Sequence, residues 1–369
     1  MIAWRIIKSV TLGIAAVPLI YGMVLVGFSL WQPPVNHNPN PVEYFRDENA
    51  VVQVDPAWGF INRINHAYTR KLSYSTPRPY SVEFSVYIDR LGVRVNKAGE
   101  ESTAPQILAC GESTAWGYGM ANERTFVSQL GQMLGLSVAN ISVPGASALA
   151  CERQFERVID ELKPKVLLLY YWSAAQVAET HRCAIVDTPV CLPFDIVDLD
   201  DDGQPKLSLT DPKLAAKRWD DYRRWYRETS PAADSERTLL SDVRWTHHLW
   251  MHALSAKLGW DEEPRHPADQ MAAARLILAK GADLAKRHGA RLVVLWVPPY
   301  WGTTIPQTPH EMQELAASLG ISLVSAQPAL QELIDRGQNF TFPDNHLNET
   351  GHMALAEALR ASDALSGIH

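Results

Sequence analysis

The stretch ILACGESTAWGYG, residues 107–119, decides how this chain reads. An apolar run stops abruptly at Gly111, an acid and a serine follow, and two more glycines come within six residues. A short apolar run that breaks at glycine reads as a buried strand ending in a tight turn. Ser113 on that turn is either a nucleophile or the cap of the helix that follows, and the fragment alone supports both equally.

Working outward, the chain alternates between strand-like and helix-like segments from residue 104 onward. QILAC (106–110) reads as a first strand, and TFVSQLGQML (125–134) carries apolar residues at helical spacing. LSVANISV (136–143) is a second strand, SALACERQFERVIDEL (147–162) a helix, and KVLLLYYW (165–172) a third strand. The third strand shows no polar alternation, which suits a sheet covered on both faces. The rhythm resumes with a helix over 267–289 stopped by Gly289, a strand over 290–299, a helix over 310–320, a strand over 321–326 and a closing helix over 348–365. Strands alternating with helices imply a parallel sheet with helices on both sides.

Upstream, residues 10–31 (VTLGIAAVPLIYGMVLVGFSLW) carry no charge. A helix of roughly 20 apolar residues spans a bilayer. Arg5 and Lys8 precede the run and no Lys or Arg follows until Arg46, so the N-terminus is expected in the cytoplasm and the remainder outside it. An uncleaved anchor is preferred over a signal peptide because the run is long and GFSLWQPP offers no small-x-small cleavage site. A core helix is the third reading. The expected organisation is a cytoplasmic tip and single-pass anchor (1–31), a Pro/Asn-rich linker with a small β module (32–103), and a main domain (104–369). SVEFSVYI (81–88) forms a strand of the β module. Across 369 residues, the net charge of -7 gives no basic footprint, so nucleic acid is not an expected partner.

Residues 181–267 interrupt the α/β rhythm as an insertion. IVDLDDDGQPKLSL (196–209) reads as a hairpin turning at Asp-Gly in preference to a calcium loop, since it lacks the glutamate at the twelfth position. Two tryptophan-rich helices follow. His247, His248 and His252 share one of them, but no Glu completes a zinc motif, so no metal is expected. Cys183 and Cys191 bracket a loop that an oxidising compartment could staple. Cys110 and Cys151 read as buried small hydrophobes, with pairing left open.

Serine needs a base, a group orienting that base, and donors for an oxyanion. Ser113 stands at the carboxyl end of a strand, where parallel sheets bind ligands. Gly145 in NISVPGAS ends the next strand, where its N–H can approach a ligand or simply make a turn. FPDNHLNETGH (342–352) holds Asp344 two residues before His346, a base and its orienter, with Asn348 as cap. His352, the competing base, sits at helical spacing and reads as packed or capping.

Together these blocks resemble the SGNH, or GDSL-like, hydrolase superfamily. Its Gly-Asp-Ser block reads Gly111-Glu112-Ser113 here, its oxyanion glycine matches Gly145, and its final Asp and His match Asp344 and His346. YIDRLGVRVN (87–96) looks like the N-x-x-G-x-R lead-in of one branch. The resemblance runs from about residue 87 to the C-terminus, minus the insertion. It implies a three-layer, flavodoxin-like parallel sheet and a membrane-anchored, extracytoplasmic serine esterase. Ser113, His346 and Asp344 would be catalytic, the N–H groups of Ser113 and Gly145 would form the oxyanion hole, and no cofactor is needed. The implied substrate is an O-acyl, foremost O-acetyl, ester of an envelope glycan or lipid. Where the acceptor is a hydroxyl, the same triad serves an O-acetyltransferase, with room for a membrane-bound acyl-transfer partner. A third reading is a catalytically retired fold that binds a glycan or partner.

Three departures stand out. Glu112 replaces Asp. Asp344 lies two rather than three residues before the His, a D-x-H spacing known among polysaccharide O-acetyltransferase-like members. Ala174 stands where the family carries an oxyanion Asn, with Ser173 or Gln176 as the nearest substitutes. Loss of one such donor costs roughly 10²–10³ in rate.

Overall fold

The structure is a computed structural model. It describes residues 51–173 apart from 56 and 75–79, residues 195–221 apart from 210, 212, 215–216 and 218–219, and residues 269–368 apart from 301. The expected membrane span, Ala174, Gln176, Cys183, Cys191 and His247, His248 and His252 lie outside the described residues. Among the described residues no helix is long and apolar enough to cross a membrane.

The described chain opens with a short hairpin, β1 (Val52–Asp55) and β2 (Gly59–Asn62). A longer hairpin follows, β3 (His66–Tyr74) and β4 (Tyr80–Ile88), and then the two-residue β5 (Arg94–Val95). The α/β alternation begins with β6 (Ile107–Cys110), α1 (Ser113–Trp116), α2 (Phe126–Leu134), β7 (Val138–Asn140), α3 (Ala148–Leu162) and β8 (Val166–Trp172). An isolated hairpin, β9 (Ile196–Leu199) and β10 (Pro205–Ser208), precedes α4 (Gln270–Arg287) and β11 (Arg291–Val297). The chain closes with α5 (His310–Ser318), β12 (Ser322–Ser325), α6 (Gln327–Asp335) and α7 (Glu349–Ala361).

Eight strands form one sheet in the order β12-β11-β8-β6-β7-β5-β4-β3. Its five parallel strands, taken along the chain, stand second, first, third, fourth and fifth, the flavodoxin-like order. The winding direction reverses at β6, so the crevice beyond the carboxyl end of β6 is the topological switch point, and Ser113 lies there.

Side-chain alternation along apolar strands builds the three layers. Leu108 and Cys110 of β6, Leu167, Leu169 and Tyr171 of β8, and Leu292, Val294 and Trp296 of β11 face the core beneath α3, α4 and α5. Ile107 and Ala109, Val166, Leu168 and Tyr170, and Val293, Leu295 and Val297 face the opposite core beneath α2, α6 and α7. A strand buried on both sides has no polar face to show, which is why period two is invisible in the sequence.

Within the β module expected over 32–103, β3, β4 and β5 belong to the large sheet, while β1 and β2 pair with each other. Arg94 of β5 pairs with Asn140 of β7, and β4 and β3 continue the same sheet as its antiparallel edge. A third apolar cluster joins Leu72, Phe84 and Val86 of that edge to Trp116, Tyr118, Met120, Val143 and Phe342 around the switch point. Of the insertion, residues 196–208 form the expected hairpin. Its turn is held by Asp200, whose Oδ1 accepts the N–H groups of Asp202 and Gln204. The pairing left open for Cys110 and Cys151 is decided here. Both are buried, but they are bonded to each other, with Cα atoms 5.5 Å apart. Cys110 faces the side of the sheet that α3 covers, and Cys151 lies in the first turn of α3.

Candidate active site

Three loops at the carboxyl edge of the sheet make the site. The first turns from β6 into α1. Glu112, not Ser113 or Thr114, caps α1, its Oε2 accepting the Thr114 N–H at 2.8 Å. The cap reading of Ser113 therefore fails, and its hydroxyl faces other groups. Gly111 permits the turn because a Cβ there would lie 2.4 Å from the Cβ of Ala115 and 2.6 Å from that of Tyr170.

The second loop continues β7. Ile141 donates its N–H to Ala109 O at 2.9 Å and Val143 donates to Gly111 O at 3.0 Å, so this loop leaves the sheet beside the first. Gly145 lies two residues beyond that pairing with φ +77°, exposed to solvent. Among the described residues, neither its N–H nor that of Ser113 has an acceptor. Ser173 is half-buried just past β8.

The third loop precedes α7. Phe342 N–H donates to His346 O at 2.7 Å, and Asn345 N–H donates to Phe342 O at 3.0 Å with Asn345 at φ +68°. This tight reversal folds Asp344 back onto His346. Asp344 Oδ1 accepts the His346 N–H at 3.2 Å, and its Oδ2 lies 3.1 Å from His346 Nδ1. A D-x-H spacing thus suffices for contact, given the turn at Asn345. On the far side of the ring, His346 Nε2 lies 2.8 Å from Ser113 Oγ. The side chain of Asp344 is nearly buried while that of His346 is partly open, as a base facing a cleft needs to be.

Four residues that the sequence reading left out of the site shape it. Tyr118 lays its ring 4.3 Å from that of His346, centroid to centroid. Arg94, fully buried, donates to the carbonyls of Trp116, Gly117 and Met120 and lies 4.3 Å over the Trp116 ring. Burial lowers its pKa to about 10. Asn62 Nδ2 donates to Gly92 O and Ser142 O, and Asn62 Oδ1 accepts the Trp116 Nε1–H. Glu112, one of the three departures, touches the serine: Ser113 Oγ donates to Glu112 Oε2 at 2.6 Å. Arg94 lies in the quoted YIDRLGVRVN segment, and the repeated aromatic-Gly steps of WGYG mark the Tyr118 loop. Asn62 carries no local signal at all.

His352 does not compete as a base. It is fully buried, its Nδ1 accepts the Phe126 N–H at 2.9 Å, and burial, then the charges of Arg94 and His346, lower its pKa to about 3. Tyr170 and Tyr300, both buried, have their hydroxyl pKa values pushed up, first by burial and then by the Glu112 charge.

No family model matches the chain, and no curated protein matches it. Solved structures do. A member of the lipolytic G-D-S-L family from Veillonella parvula aligns at 11% identity and a TM-score of 0.38, over 70% of this chain and 98% of that one. LAE5, an alpha/beta hydrolase enzyme from the Lake Arreo metagenome, aligns at 12% and 0.39, over 72% and 99%. A catalytic mutant of Axe2, an acetylxylan esterase from Geobacillus stearothermophilus, aligns at 12% and 0.36, over 70% and 94%.

Proposed function

We propose that this chain is a serine acyl-ester hydrolase of SGNH type, anchored in the cytoplasmic membrane by residues 1–31 with its catalytic domain outside the cytoplasm. Its substrates are O-acyl esters, acetyl foremost, of envelope glycans or lipids. The observation that carries this reading is the relay of Ser113 Oγ, His346 Nε2 at 2.8 Å and Asp344 Oδ2 at 3.1 Å from the other ring nitrogen. A fold retired to glycan binding has no use for that relay.

In the proposed reaction Ser113 Oγ attacks the acyl carbon and His346 takes its proton. Asp344 fixes the ring and stabilises the imidazolium. The N–H groups of Ser113 and Gly145, without an acceptor among the described residues, hold the oxyanion. His346 returns the proton to the leaving alcohol, and then activates water against the acyl-serine. General-base help of this kind contributes about 10²–10⁴ in rate. The mechanism draws on no metal or cofactor. Replacing water by a glycan hydroxyl turns the same steps into O-acetyl transfer, and product analysis with an added glycan acceptor separates the two.

The test is hydrolysis of p-nitrophenyl acetate, and labelling by a fluorophosphonate, with the full chain in detergent micelles. Ser113→Ala is expected to abolish both. Labelling of Ser113→Ala at the wild-type rate refutes the reading.

A further inference from the structure

Ser113 Oγ has two bases against it, and one hydroxyl proton cannot serve both. Glu112 Oε2 stands at 2.6 Å and His346 Nε2 at 2.8 Å. When the hydroxyl points to Glu112, the His346 contact is kept by Nε2–H donating to Oγ; when it points to His346, Glu112 keeps only the Thr114 N–H on that oxygen. The carboxylate is buried, at 7% exposure, and Thr114, the buried Tyr170 and Tyr300, and the α1 turn surround it, so it has no freedom to swing into solvent. An aspartate in its place is one methylene shorter on the same backbone. The Glu at this position is what brings the carboxylate within 2.6 Å of the nucleophile.

We propose that Glu112 is a second catalytic base for Ser113, acting on the same oxygen as His346. The inference rests on Ser113 being the nucleophile. In this route the Ser113 O–H bond breaks and its proton passes to Glu112 Oε2 while Oγ bonds to the acyl carbon and the carbonyl pair moves onto oxygen. On collapse the carbon–oxygen bond to the alcohol breaks, and the leaving oxygen takes the proton from Glu112. For deacylation, water gives a proton to Glu112 as its oxygen bonds to the acyl carbon, and that proton returns to Ser113 Oγ as the acid leaves. Glu112 ends each cycle as it began, a carboxylate. His346, backed by Asp344, remains the faster base.

A double-mutant cycle reads this directly, using the burst of p-nitrophenol and the mass of the acetylated Ser113 peptide from the full chain in micelles. His346→Ala is expected to keep acetylating Ser113 at 10-fold or more above the Ser113→Ala floor. Adding Glu112→Gln, which keeps the length and a cap acceptor, drops that remainder to the floor. Glu112→Asp in the same background, one methylene shorter, recovers little of it, whereas a merely capping role for Glu112 would be restored by aspartate. If His346→Ala is already at the floor, or if His346→Ala with Glu112→Gln acetylates as fast as His346→Ala, the second base is refuted and the esterase reading stands. If the wild type does not acetylate Ser113, the esterase reading falls and this inference with it.

Discussion

Gly111→Ala tests how the nucleophile is held. The added methyl would stand 2.4 Å from Ala115 Cβ and 2.6 Å from Tyr170 Cβ. Carbon atoms in good contact are about 3.5–4.0 Å apart, so each pair is short by roughly 1 Å. Neither neighbour can relieve this by rotating, because a Cβ moves only with its backbone. Tyr170 is held in β8, paired with Leu295 of β11 and one residue past the last β6 pair, Cys110 with Leu169. The α1 turn therefore has to yield, and it carries Ser113 with it. Overpacking of this kind costs about 1–3 kcal/mol in stability. A displacement of about 1 Å in the reacting serine costs about 10²-fold in rate. The expected result is a folded protein with a lowered Tm and fluorophosphonate labelling slowed about 100-fold. Ala115→Gly added to Gly111→Ala removes the shorter clash and recovers part of the rate. A Gly111→Ala protein that labels at the wild-type rate with an unchanged Tm refutes this account of the turn.

Acid stability should depend on His352. Its folded pKa, about 3, lies below the unfolded value of 6.5, so the unfolded chain binds the extra proton between them and stability falls as pH drops through that window. The loss by pH 3 is on the order of 3–5 kcal/mol, and urea melts of His352→Gln should show a flatter pH dependence. Breaking the Cys110–Cys151 bond, by reduction or by Cys151→Ala with Cys110→Ala, should cost about 4 kcal/mol in urea melts, from the loop entropy of 41 residues of separation. Arg94→Lys replaces a fork reaching three carbonyls with a single ammonium. It should lower stability by about 2 kcal/mol or more and slow acylation, with little rescue compared with the wild type, because only a guanidinium spans all three acceptors.

The alternation of apolar strands and amphipathic helices made the parallel sheet legible from residue 104 onward, and three positions in the quoted loops carry the serine, histidine and aspartate contacts. What stayed hidden was non-local or disguised. β1 and β2 are four residues each, too short for a period to show, and β3 mixes Arg70 and Lys71 into its middle. α6 went unread because Pro328 looks like a breaker, although proline suits a first turn, where its missing N–H has no partner to lose. LSVANISV reads as one long strand, yet the strand proper is Val138–Asn140, and beyond it Ile141 and Val143 stay bonded to Ala109 and Gly111 before the chain turns into the Gly145 loop. The Cys110–Cys151 bond depends on which face of β6 Cys110 takes, a two-residue alternation that an all-apolar strand does not display.

Asn62, Arg94 and the β3–β4 hairpin brace the serine loop from a stretch that leaves the ribosome before that loop exists. Trp116 and Ser142, which Asn62 grips, follow 54 and 80 residues later, and Asn140 must arrive before β5, already paired with β4, has its second neighbour. The hairpin waits as an open edge through that interval, and His346 comes last of all. A nascent chain therefore acquires its nucleophile long before its base, and cutting the protein at residue 104 to isolate the α/β half would take Asn62 from the Trp116 indole N–H and Arg94 from three carbonyls of the serine loop.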